Sequence, residues 1–413
     1  MQIKAEWDPL NHVLMHLPGN EITYAMFAPT AFLFERPFNY TKAVNEHHNL
    51  QQILRDNGIK VDILSELVEK TAETNHEFRK NLENVVKSRI HFYGTVESLE
   101  NAQRYLDNNI DYIDSRSLFE ALIMELSIDL KKYVAGIEYP TIYSNLPLAN
   151  LYFMRDQQAV SNGVIIGKMR MQQRRKETEI TSFIFKNIFR ENVKEIKNGY
   201  FEGGDFIPAG NFALIGIGNR TDYTGALEVM NSGALNFDEI AVIRNPTYDF
   251  TNINNIMINM HLDTYFNIPS SGIAITSEVL IKNAHADIYV RNDGHYTKEY
   301  ETNLHDYIKG KGYNIINLGI SEQLSYSSNF LTLKDKKIIA IDSKKVIKKL
   351  LKENVFDDIT KQAILKDIEK KDRVFPDNKE ILDYGIDVIK IDLSELTGGY
   401  GGAHCMTSAL NRN

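Results

Sequence analysis

The stretch from Asn11 to Leu64 decides the fold class of this chain. It opens with NHVLMHL at Asn11–Leu17, a short apolar run ended by a Pro-Gly-Asn turn, and this pattern predicts a buried strand. Residues Thr41–Asn57 carry apolar side chains at helical spacing and are followed by a glycine, which predicts a helix and its C-terminal end. IKVDIL at Ile59–Leu64 alternates with period two. The stretch therefore predicts strand, helix and strand in order.

Farther along the chain, a helical segment precedes a series of short strands. Between about Ser65 and Ala135 no strand-like alternation occurs, and Glu, Lys, Asn and Leu recur in blocks, so we expect a helical insertion over residues 66–146. Beyond it, β-like runs separated by helical or turn segments indicate an α/β body within residues 1–413. These runs are Val160–Ile166, Phe212–Gly216, Glu239–Arg244, Ile273–Thr276, Tyr313–Leu318, Lys337–Ile341 and Ile386–Ile391.

The composition is that of an ordinary globular enzyme or binding protein. Of 413 residues, 43% are hydrophobic and 25% are charged, which argues against a disordered or fibrous chain. The 47 basic and 55 acidic residues give a formal net charge of −8, so we expect no nucleic-acid partner. No apolar stretch approaches the roughly 20 residues that span a bilayer, and the start lacks the pattern of a secretory signal. We therefore expect no membrane partner and a cytoplasmic location.

One cysteine, Cys405, stands near the end of the chain within GGYGGAHCMT at Gly398–Thr407. A single thiol excludes an intrachain disulfide and any cluster of thiolates around zinc or iron. Glycines allow a backbone to take strained turns and to come close to a ligand. A thiol reacts as its thiolate, which needs a cationic or hydrogen-bonding neighbourhood such as His404. Cys405 is thus either a nucleophile or a small buried side chain.

Three further segments carry groups that can move protons or bind charge. In Phe201–Asp205, two carboxylates flank a glycine pair that permits a tight turn and close approach to a ligand. In Met260–Thr264, an extended backbone would place His261 and Asp263 on the same side, facing one pocket. Asn150–Asp156 supplies an amide, an aromatic ring, a guanidinium and a carboxylate within seven positions. Each segment alone also fits a surface turn or a polar loop.

Considered together, these groups suit one kind of substrate. The thiol, the imidazole and the carboxylates of Asp156, Glu202, Asp205 and Asp263 have no metal-ligand spacing along the sequence. An acid-rich pocket suits a cation, and carboxylates match a planar guanidinium through paired hydrogen bonds. The guanidinium carbon can be attacked by a thiolate if the positive charge is held and a proton reaches the departing nitrogen. The set therefore predicts chemistry on a guanidino group.

With these motifs, the chain resembles the arginine deiminases of the guanidino-modifying superfamily. The resemblance rests on five motifs in the family's order and at about its spacing, and it extends from Trp7 to Arg412. It implies an α/β fold of the pentein type, a five-bladed propeller with pseudo-fivefold symmetry, an inserted helical domain and an active site near the central axis. The motifs are Asn150–Asp156, Phe201–Asp205, Ile215–Asp222, Met260–Thr264 and His404–Thr407.

The resemblance also implies hydrolysis of L-arginine to L-citrulline and ammonia, with neither a cofactor nor a metal. Cys405 resembles the nucleophile that attacks the guanidinium carbon and forms a covalent amidino-cysteine intermediate. Asp156 and Asp263 match the carboxylates that bind the guanidinium nitrogens. Glu202 and His261 match the pair that moves protons during ammonia loss and water attack.

For the other end of the substrate, the resemblance implies binding of the α-carboxylate by arginines. Arg174 and Arg220 match the family's positions, with Asn150 and Phe153 beside them. Because the next residue is also an arginine, the sequence leaves open whether position 174 or position 175 is the matching one. Asp205 matches a position that supports the catalytic groups. The sequence also leaves a homo-oligomer open.

Other functions remain open at this level. An amidinotransferase would pass the amidino group from Cys405 to an amine instead of water, and a related deiminase would act on another guanidino compound. A catalytically silent protein would keep the pocket and bind a guanidino metabolite. Tyr400 motivates the silent protein and leaves the guanidino substrate open, because it stands where many relatives carry a substrate-contacting arginine.

Overall fold

Short strands flanked by helices make up the chain. The structure is a computed structural model, and it describes residues 1–130, 132–133, 137–246 and 260–413, with the backbone alone at 132–133 and 137–138. The strands in chain order are β1 (Leu10–Met15), β2 (Lys60–Ile63), β3 (His91–Tyr93), β4 (Leu126–Asp129), β5 (Lys132–Tyr133), β6 (Ile137–Glu138), β7 (Thr141–Ser144), β8 (Gln158–Ser161), β9 (Gly163–Ile166), β10 (Lys194–Glu195), β11 (Phe206–Ala209), β12 (Phe212–Ile217), β13 (Glu239–Arg244), β14 (Phe266–Ser270), β15 (Ile273–Thr276), β16 (His285–Asn292), β17 (His295–Asn303), β18 (Asn314–Asn317), β19 (Leu331–Lys334), β20 (Lys337–Ile341), β21 (Asp387–Ile391) and β22 (Ser408–Arg412).

The helices connect these strands or pack beside them. Among the described residues, no helix has both the length and the apolar composition needed to cross a bilayer. The helices are α1 (Asn20–Ala25), α2 (Tyr40–Asp56), α3 (Leu64–Thr74), α4 (His76–Arg89), α5 (Val96–Asn109), α6 (Ser115–Met124), α7 (Glu177–Asn187), α8 (Tyr223–Met230), α9 (Glu278–Asn283), α10 (Leu304–Gly310), α11 (Ile320–Gln323), α12 (Ser343–Lys352), α13 (Asp358–Glu369) and α14 (Lys379–Asp383).

Helix α2 forms for the reasons that its sequence predicts. The Asn39 side chain accepts a hydrogen bond from the Lys42 backbone N–H, which satisfies one of the free donors at the start of the helix. Leu50 and Leu54, four residues apart on one face, are fully buried. The chain leaves the helix through Gly58 at φ +76°, a left-handed conformation that favours glycine.

Five small sheets repeat one topology. In each, the central strand pairs antiparallel with one neighbour and parallel with the other, and helices lie in the crossover between the parallel strands. No sheet within the described residues closes on itself. The sheets are β22-β1-β2, β8-β9-β10, β11-β12-β13, β14-β15-β18 and β19-β20-β21, and the hairpin β16-β17 extends the third.

Several central strands of these sheets are deeply buried. Almost every side chain of β12, β15 and β20 is buried, as expected for strands that are covered on both faces. The largest apolar cluster joins β1, the helices α3 to α6 and the end of the chain at β22. The amino-terminal third and the carboxyl terminus therefore share one core.

Most predicted strands are present, with small shifts at their ends. Three have the predicted bounds, at Glu239–Arg244, Ile273–Thr276 and Lys337–Ile341. The single strand predicted at Val160–Ile166 is wrong, because the chain reverses at Asn162 and forms the antiparallel pair β8-β9.

Residues 66–146 contain strands as well as helices. Helices α3 to α6 follow one another, but β3, β4 and β7 pair into a three-stranded sheet and β5 and β6 into a two-stranded one. These strands are only two to four residues long, too short to produce a recognisable period of two in the sequence. The part of the predicted helical insertion that falls on residues 131 and 134–136 lies outside the described residues.

Candidate active site

Cys405 lies in a glycine-rich loop that leads into the last strand. The 3-10 turn Leu396–Gly399 and the left-handed residue Tyr400, at φ +72°, precede it. Its side chain is 4% exposed. The Sγ atom lies 3.3 Å from Oδ2 of Asp263 and 3.0 Å from Nδ2 of Asn329. Two distant parts of the chain therefore meet the loop at the thiol.

The glycines of this loop are required because the loop packs tightly on its own surroundings. A Cβ atom on Gly401 would lie 2.9 Å from Cβ and 3.1 Å from Sγ of Cys405, and one on Gly399 would collide with the Tyr152 hydroxyl. The close approach that the glycine-rich sequence predicts is thus, at these two positions, an approach to the protein's own side chains.

His261 and Glu202 form a buried pair of imidazole and carboxylate. Nε2 of His261 lies 2.8 Å from Oε2 of Glu202. Burial lowers the pKa of His261, but the charge of Asp156 and the hydrogen bond with Glu202 outweigh burial and raise this pKa to about 9. Burial raises the pKa of Glu202, yet Arg220 and His261 hold it below its usual range. Near neutral pH the imidazole is therefore a cation that can donate a proton.

The turn that carries Glu202 is pressed against the same imidazole. Residues Gly203–Asp205 form a 3-10 turn. A Cβ atom on Gly204 would lie 2.9 Å from both Oδ1 of Asp156 and Cγ of His261. The glycine pair therefore lets the turn approach two predicted catalytic side chains directly.

Asp263 connects the thiol to a second imidazole. Residues Leu262–Thr264 form a 3-10 turn, so the extended conformation predicted for this segment is wrong, although His261 and Asp263 both reach the surroundings of Cys405. Oδ2 of Asp263 lies 2.8 Å from Nδ1 of His404. Burial raises the pKa of Asp263, but the hydrogen bond from His404 and its charge lower it overall. A carboxylate thus faces the thiol.

Asp156 is paired with Arg174 in the wall of the same site. Nη1 of Arg174 lies 2.6 Å from Oδ2 of Asp156, and Nη2 lies 2.9 Å from Oε2 of Glu177. Burial disfavours the charge on Arg174, but these carboxylates outweigh burial and raise its pKa. Arg175 is exposed, so Arg174 is the arginine of this pair that meets the other predicted groups.

A narrow cavity joins most of the predicted site residues. It has about 280 Å³ of space between its atoms, including open solvent at its mouth. Three predicted residues, Glu202, Asp205 and Asp263, are not part of its wall. Glu202 contacts His261 and Asp263 contacts Cys405, both in the wall, whereas Asp205 contacts the backbone of Leu262, next to His261. The wall consists of Leu33, Asn150, Phe153, Asp156, Arg174, Arg220, Met260, His261, Gly399, Tyr400, Gly401 and Cys405.

Asp205 holds the backbone of the turn that follows His261. Its Oδ1 accepts hydrogen bonds from the Leu262 backbone N–H at 2.9 Å and from Nδ2 of Asn245 at 3.1 Å. Burial raises the pKa of Asp205 to about 6, although the charge of His261 acts in the opposite direction. In this geometry Asp205 positions the turn and does not face the cavity.

Three residues of the site escaped the sequence analysis. Leu33 comes from an irregular segment without a motif, and Met260 lies in a motif but was given no role. Asn329 ends the polar run Ser325–Asn329, in which the three serines and the asparagine are fully buried. Such a run reads as an ordinary loop, and only its burial shows that its polar groups must have partners.

The carboxylates around Cys405 disfavour its thiolate. Burial raises the pKa of the thiol well above its ordinary value, and the charges of Asp263 and Asp156 raise it further. The hydrogen bond from Asn329 acts in the opposite direction. The site therefore needs an added positive charge before the sulfur becomes a strong nucleophile.

Asp156, Glu202 and His261 come close enough to hold a metal ion. One ligand atom of each lies within 4.8 Å of the others, a proximity that their spacing in the sequence does not reveal. Arg174 already brings a positive charge to within 2.6 Å of Asp156 and 4.0 Å of Glu202. A guanidinium of the chain's own thus already neutralises part of the negative charge of these acids.

Solved structures with a similar fold are enzymes of amino-acid and guanidino chemistry. DDAH from Pseudomonas aeruginosa, a mutant complexed with citrulline, aligns with a TM-score of 0.51 and 15% identity over 97% of this chain and 98% of its own. SxtG, an amidinotransferase from Microseira wollei, aligns with a TM-score of 0.51 and 12% identity over 100% and 97%. At these identities the likeness concerns the fold alone, and it confirms the predicted α/β class.

Relatives with closer sequences are arginine deiminases. The enzyme of Halobacterium salinarum is 25% identical over 100% of this chain and 96% of its own length. Those of Limosilactobacillus reuteri and Metamycoplasma hominis are 26% and 27% identical, again over 100% of this chain and over 98% and 96% of their own. The family model described as arginine deiminase matches residues 30–412. The chain therefore belongs to the arginine deiminase family, as its five motifs predict.

Proposed function

We propose that this protein hydrolyses free L-arginine to L-citrulline and ammonia through a covalent intermediate on Cys405. A pair of buried carboxylate oxygens beside the thiol carries the proposal. Among the residues that the structure describes, Oδ1 of Asp156 and Oδ1 of Asp263 have no hydrogen-bond partner, although both side chains are almost fully buried. A buried acceptor without a donor is costly. The N–H groups of a planar guanidinium would satisfy both oxygens.

In the first half of the reaction, Cys405 attacks the guanidinium carbon. The charge of the bound substrate offsets the carboxylates, so the thiol releases its proton to solvent. The protonated His261 then donates its proton to the departing nitrogen, and ammonia leaves. The cysteine retains an amidino group that still carries the rest of the substrate.

In the second half, water releases the product. His261, now neutral, takes a proton from the water as the water oxygen attacks the amidino carbon, and Glu202 stabilises the imidazolium that forms again. The bond between carbon and sulfur breaks, and the remaining hydroxyl proton passes from the product to the sulfur, which restores the thiol and frees citrulline. Over both halves, one water is consumed and one ammonia is released.

The far end of the substrate would be held by arginines in the cavity wall. Arg220 and Arg174 are our candidates for the α-carboxylate, because a guanidinium pairs with a carboxylate through two parallel hydrogen bonds. Asn150 and Phe153 line the same wall. Arg174 also pairs with Asp156 and Glu177, and Arg220 lies 4.0 Å from Glu202, so both arginines hold acids of the site as well.

We also infer that the five sheets are the blades of a pseudo-symmetric propeller into which residues 66–146 are inserted. The repeated topology of the sheets supports this arrangement. So does the position of four predicted catalytic residues, each of which stands within five residues before an edge strand that pairs antiparallel with the centre of its sheet. Asp156 precedes β8, Glu202 precedes β11, His261 precedes β14 and Cys405 precedes β22.

The test is product formation from arginine. Purified protein incubated with L-arginine should release citrulline and ammonia in equal amounts. Acid-quenched samples analysed by mass spectrometry should show an adduct on Cys405 that retains the ornithine chain. No citrulline between pH 5 and pH 9 would refute the proposed function.

An amidinotransferase is the second candidate, favoured by the similar fold of the amidinotransferase SxtG. In that reaction the ornithine chain would leave first, and an amine would then take the amidino group from Cys405. Glycine or lysine supplied with arginine would yield a new guanidino compound. The quenched adduct would then lack the ornithine chain, which separates the two reactions by mass alone.

A silent binding protein is distinguished by the same measurement. Tyr400 lines the cavity at a position where the family resemblance implies an arginine, and this difference motivates the alternative. Reversible binding of arginine without adduct or citrulline would favour it.

A further inference from the structure

Asn329 uses all the hydrogen-bonding capacity of its side chain on the loop that carries Cys405. Its Oδ1 accepts from the backbone N–H groups of Gly402 at 2.7 Å and Cys405 at 3.0 Å. Its Nδ2 donates to Sγ of Cys405 at 3.0 Å and to the backbone oxygen of Asp263 at 3.1 Å. The side chain is fully buried. One carboxamide therefore holds the nucleophile, its backbone and the turn of Asp263.

The orientation of this carboxamide follows from its partners. The two backbone N–H groups can only donate, so the atom that faces them must be the oxygen. The carbonyl of Asp263 can only accept, so the atom that faces it must be the nitrogen. The same nitrogen then has its second hydrogen directed at the sulfur.

The loop of Asn329 is itself held in place from behind. Nδ2 of Asn267 donates to the backbone oxygens of Ser328 at 3.1 Å and Phe330 at 2.9 Å, the residues on either side of Asn329. Asn267 is fully buried and makes its contacts with the backbone. It offers a matched control, because it supports the same loop from the side away from the sulfur.

The contact with Asn329 differs in kind from the other polar contact of the sulfur. Oδ2 of Asp263, at 3.3 Å, accepts a hydrogen bond from the thiol and would repel the thiolate. The N–H of Asn329 favours the thiolate. In agreement, the hydrogen bond from Asn329 lowers the pKa of Cys405, whereas burial and the two aspartates raise it.

We propose that Asn329 is a further catalytic residue, whose carboxamide donates a hydrogen bond to the Cys405 thiolate while it fixes the backbone from Gly402 to Cys405. The assignment rests on the proposed function for the identity of the nucleophile. The place of Asn329 in the chain supports the assignment, since it stands two residues before β19, as Asp156, His261 and Cys405 stand shortly before β8, β14 and β22.

The test measures the reactivity of the sulfur separately from turnover. Cys405 is the one cysteine of the chain, so iodoacetamide labelling followed by mass spectrometry reports on it alone. In Asn329→Asp the backbone acceptor is kept and the donor is lost, and in Asn329→Ser the side chain is too short to reach the sulfur. In both variants we expect labelling at pH 8 to slow at least tenfold.

The kinetic constants for arginine give a second readout. Asn329 is not part of the cavity wall, so kcat should fall at least tenfold in both variants while KM stays within threefold. Asn267→Ser should lower the thermal midpoint but leave the labelling rate within twofold of wild type. A labelling rate unchanged by both Asn329 variants, or slowed as much by Asn267→Ser, overturns the proposal.

Two further results keep the outcomes separate. If wild-type protein forms no citrulline but its labelling depends on Asn329, the proposed function fails and the assignment of Asn329 as a donor to the sulfur stands. If neither variant folds, a crystal structure of the wild-type chain decides. A nitrogen of Asn329 within hydrogen-bond distance of Sγ supports the proposal, and a side chain turned away from the sulfur overturns it.

Discussion

At the scale of single residues, the environment of Cys405 explains how the thiol can be selective. Burial and two neighbouring aspartates raise its pKa well above the ordinary value. A cation that binds between those aspartates reverses their effect, so the nucleophile forms when a guanidinium is in place. The same acids therefore recognise the substrate and keep the free thiol unreactive.

The first prediction concerns the nucleophile. Cys405→Ser should lower kcat at least about 10³-fold, because a serine hydroxyl is far less ionised than a thiol near neutral pH. The measurement is citrulline formation from arginine, with circular dichroism as the control for folding. Turnover near the wild-type rate would show that another residue attacks the substrate.

The second prediction concerns the proton on His261. Its pKa of about 9 means that the imidazole is protonated at neutral pH and loses its proton as the pH rises through 9. Because the protonated form donates to the leaving nitrogen, kcat/KM should fall about tenfold per pH unit above 9. The profile should be recorded from pH 6 to 10.5.

The same proton has a consequence for stability. The pKa in the folded chain lies above the unfolded value of 6.5, so its stabilising effect is complete below pH 6.5 and is lost as the pH rises through 9. In His261→Asn, the free energy of unfolding should not show this decrease between pH 6.5 and pH 9. An activity profile that is flat above pH 9 would contradict the assignment of His261 as the acid.

At the scale of elements, the loop Gly398–Thr407 is shaped by the side chains that it must clear. Gly401 packs against the cysteine, and a Cβ atom there would lie 2.9 Å from Cβ of Cys405. Gly310, at the end of α10, has no atom near enough to meet an added Cβ. The two glycines therefore differ in what an alanine would displace.

The third prediction uses this difference. Gly401→Ala should displace the sulfur and lower kcat about 10²-fold, because a shift of about 1 Å at a reacting atom is enough for such a loss. Gly310→Ala should leave kcat unchanged. Steady-state kinetics of both variants make the comparison, and equal activities would show that the loop accommodates a methyl group.

Local sequence patterns predict some elements much better than others. Strand β13 has its predicted bounds because a continuous apolar run ends in charged residues. Strand β17 was not predicted, because most of its side chains are exposed and polar, so its sequence lacks the alternation of a half-buried strand. Strand β22 also escaped prediction, since its residues form a strand by pairing with β1 from the other end of the chain.

At the scale of the whole molecule, a buried ionic network joins the two ends of the chain behind the site. Glu6 is 1% exposed, and its carboxylate contacts Arg155 at 3.2 Å, Arg412 at 3.0 Å and Nε2 of His404 at 3.4 Å. His404 in turn contacts Asp263. The terminal segments are thus connected to the surroundings of the thiol.

The fourth prediction tests the contribution of this network to stability. Glu6→Gln should lower the free energy of unfolding by about 3 kcal/mol, because it leaves buried cations without their carboxylate. Urea denaturation provides the measurement. Asp383→Asn is the control, since Asp383 and its partner Lys379 are exposed and 3.9 Å apart, and we expect a change below about 0.5 kcal/mol. Equal losses in the two variants would show that the network is not essential.

The sequence alone determined the α/β class, the family and the ten residues expected at the site, because runs of apolar residues and the order of chemical motifs are local properties of a chain. The assembly of the site depends on tertiary structure. Only folding brings Asp156, His261 and Cys405 to one cavity, pairs Arg174 with Asp156 and encloses the buried carboxamide of Asn329. These contacts join residues that are far apart in the chain. Burial shifts the pKa values of the titratable side chains and requires each polar group to have a partner, and no single segment of sequence reveals which residues are buried.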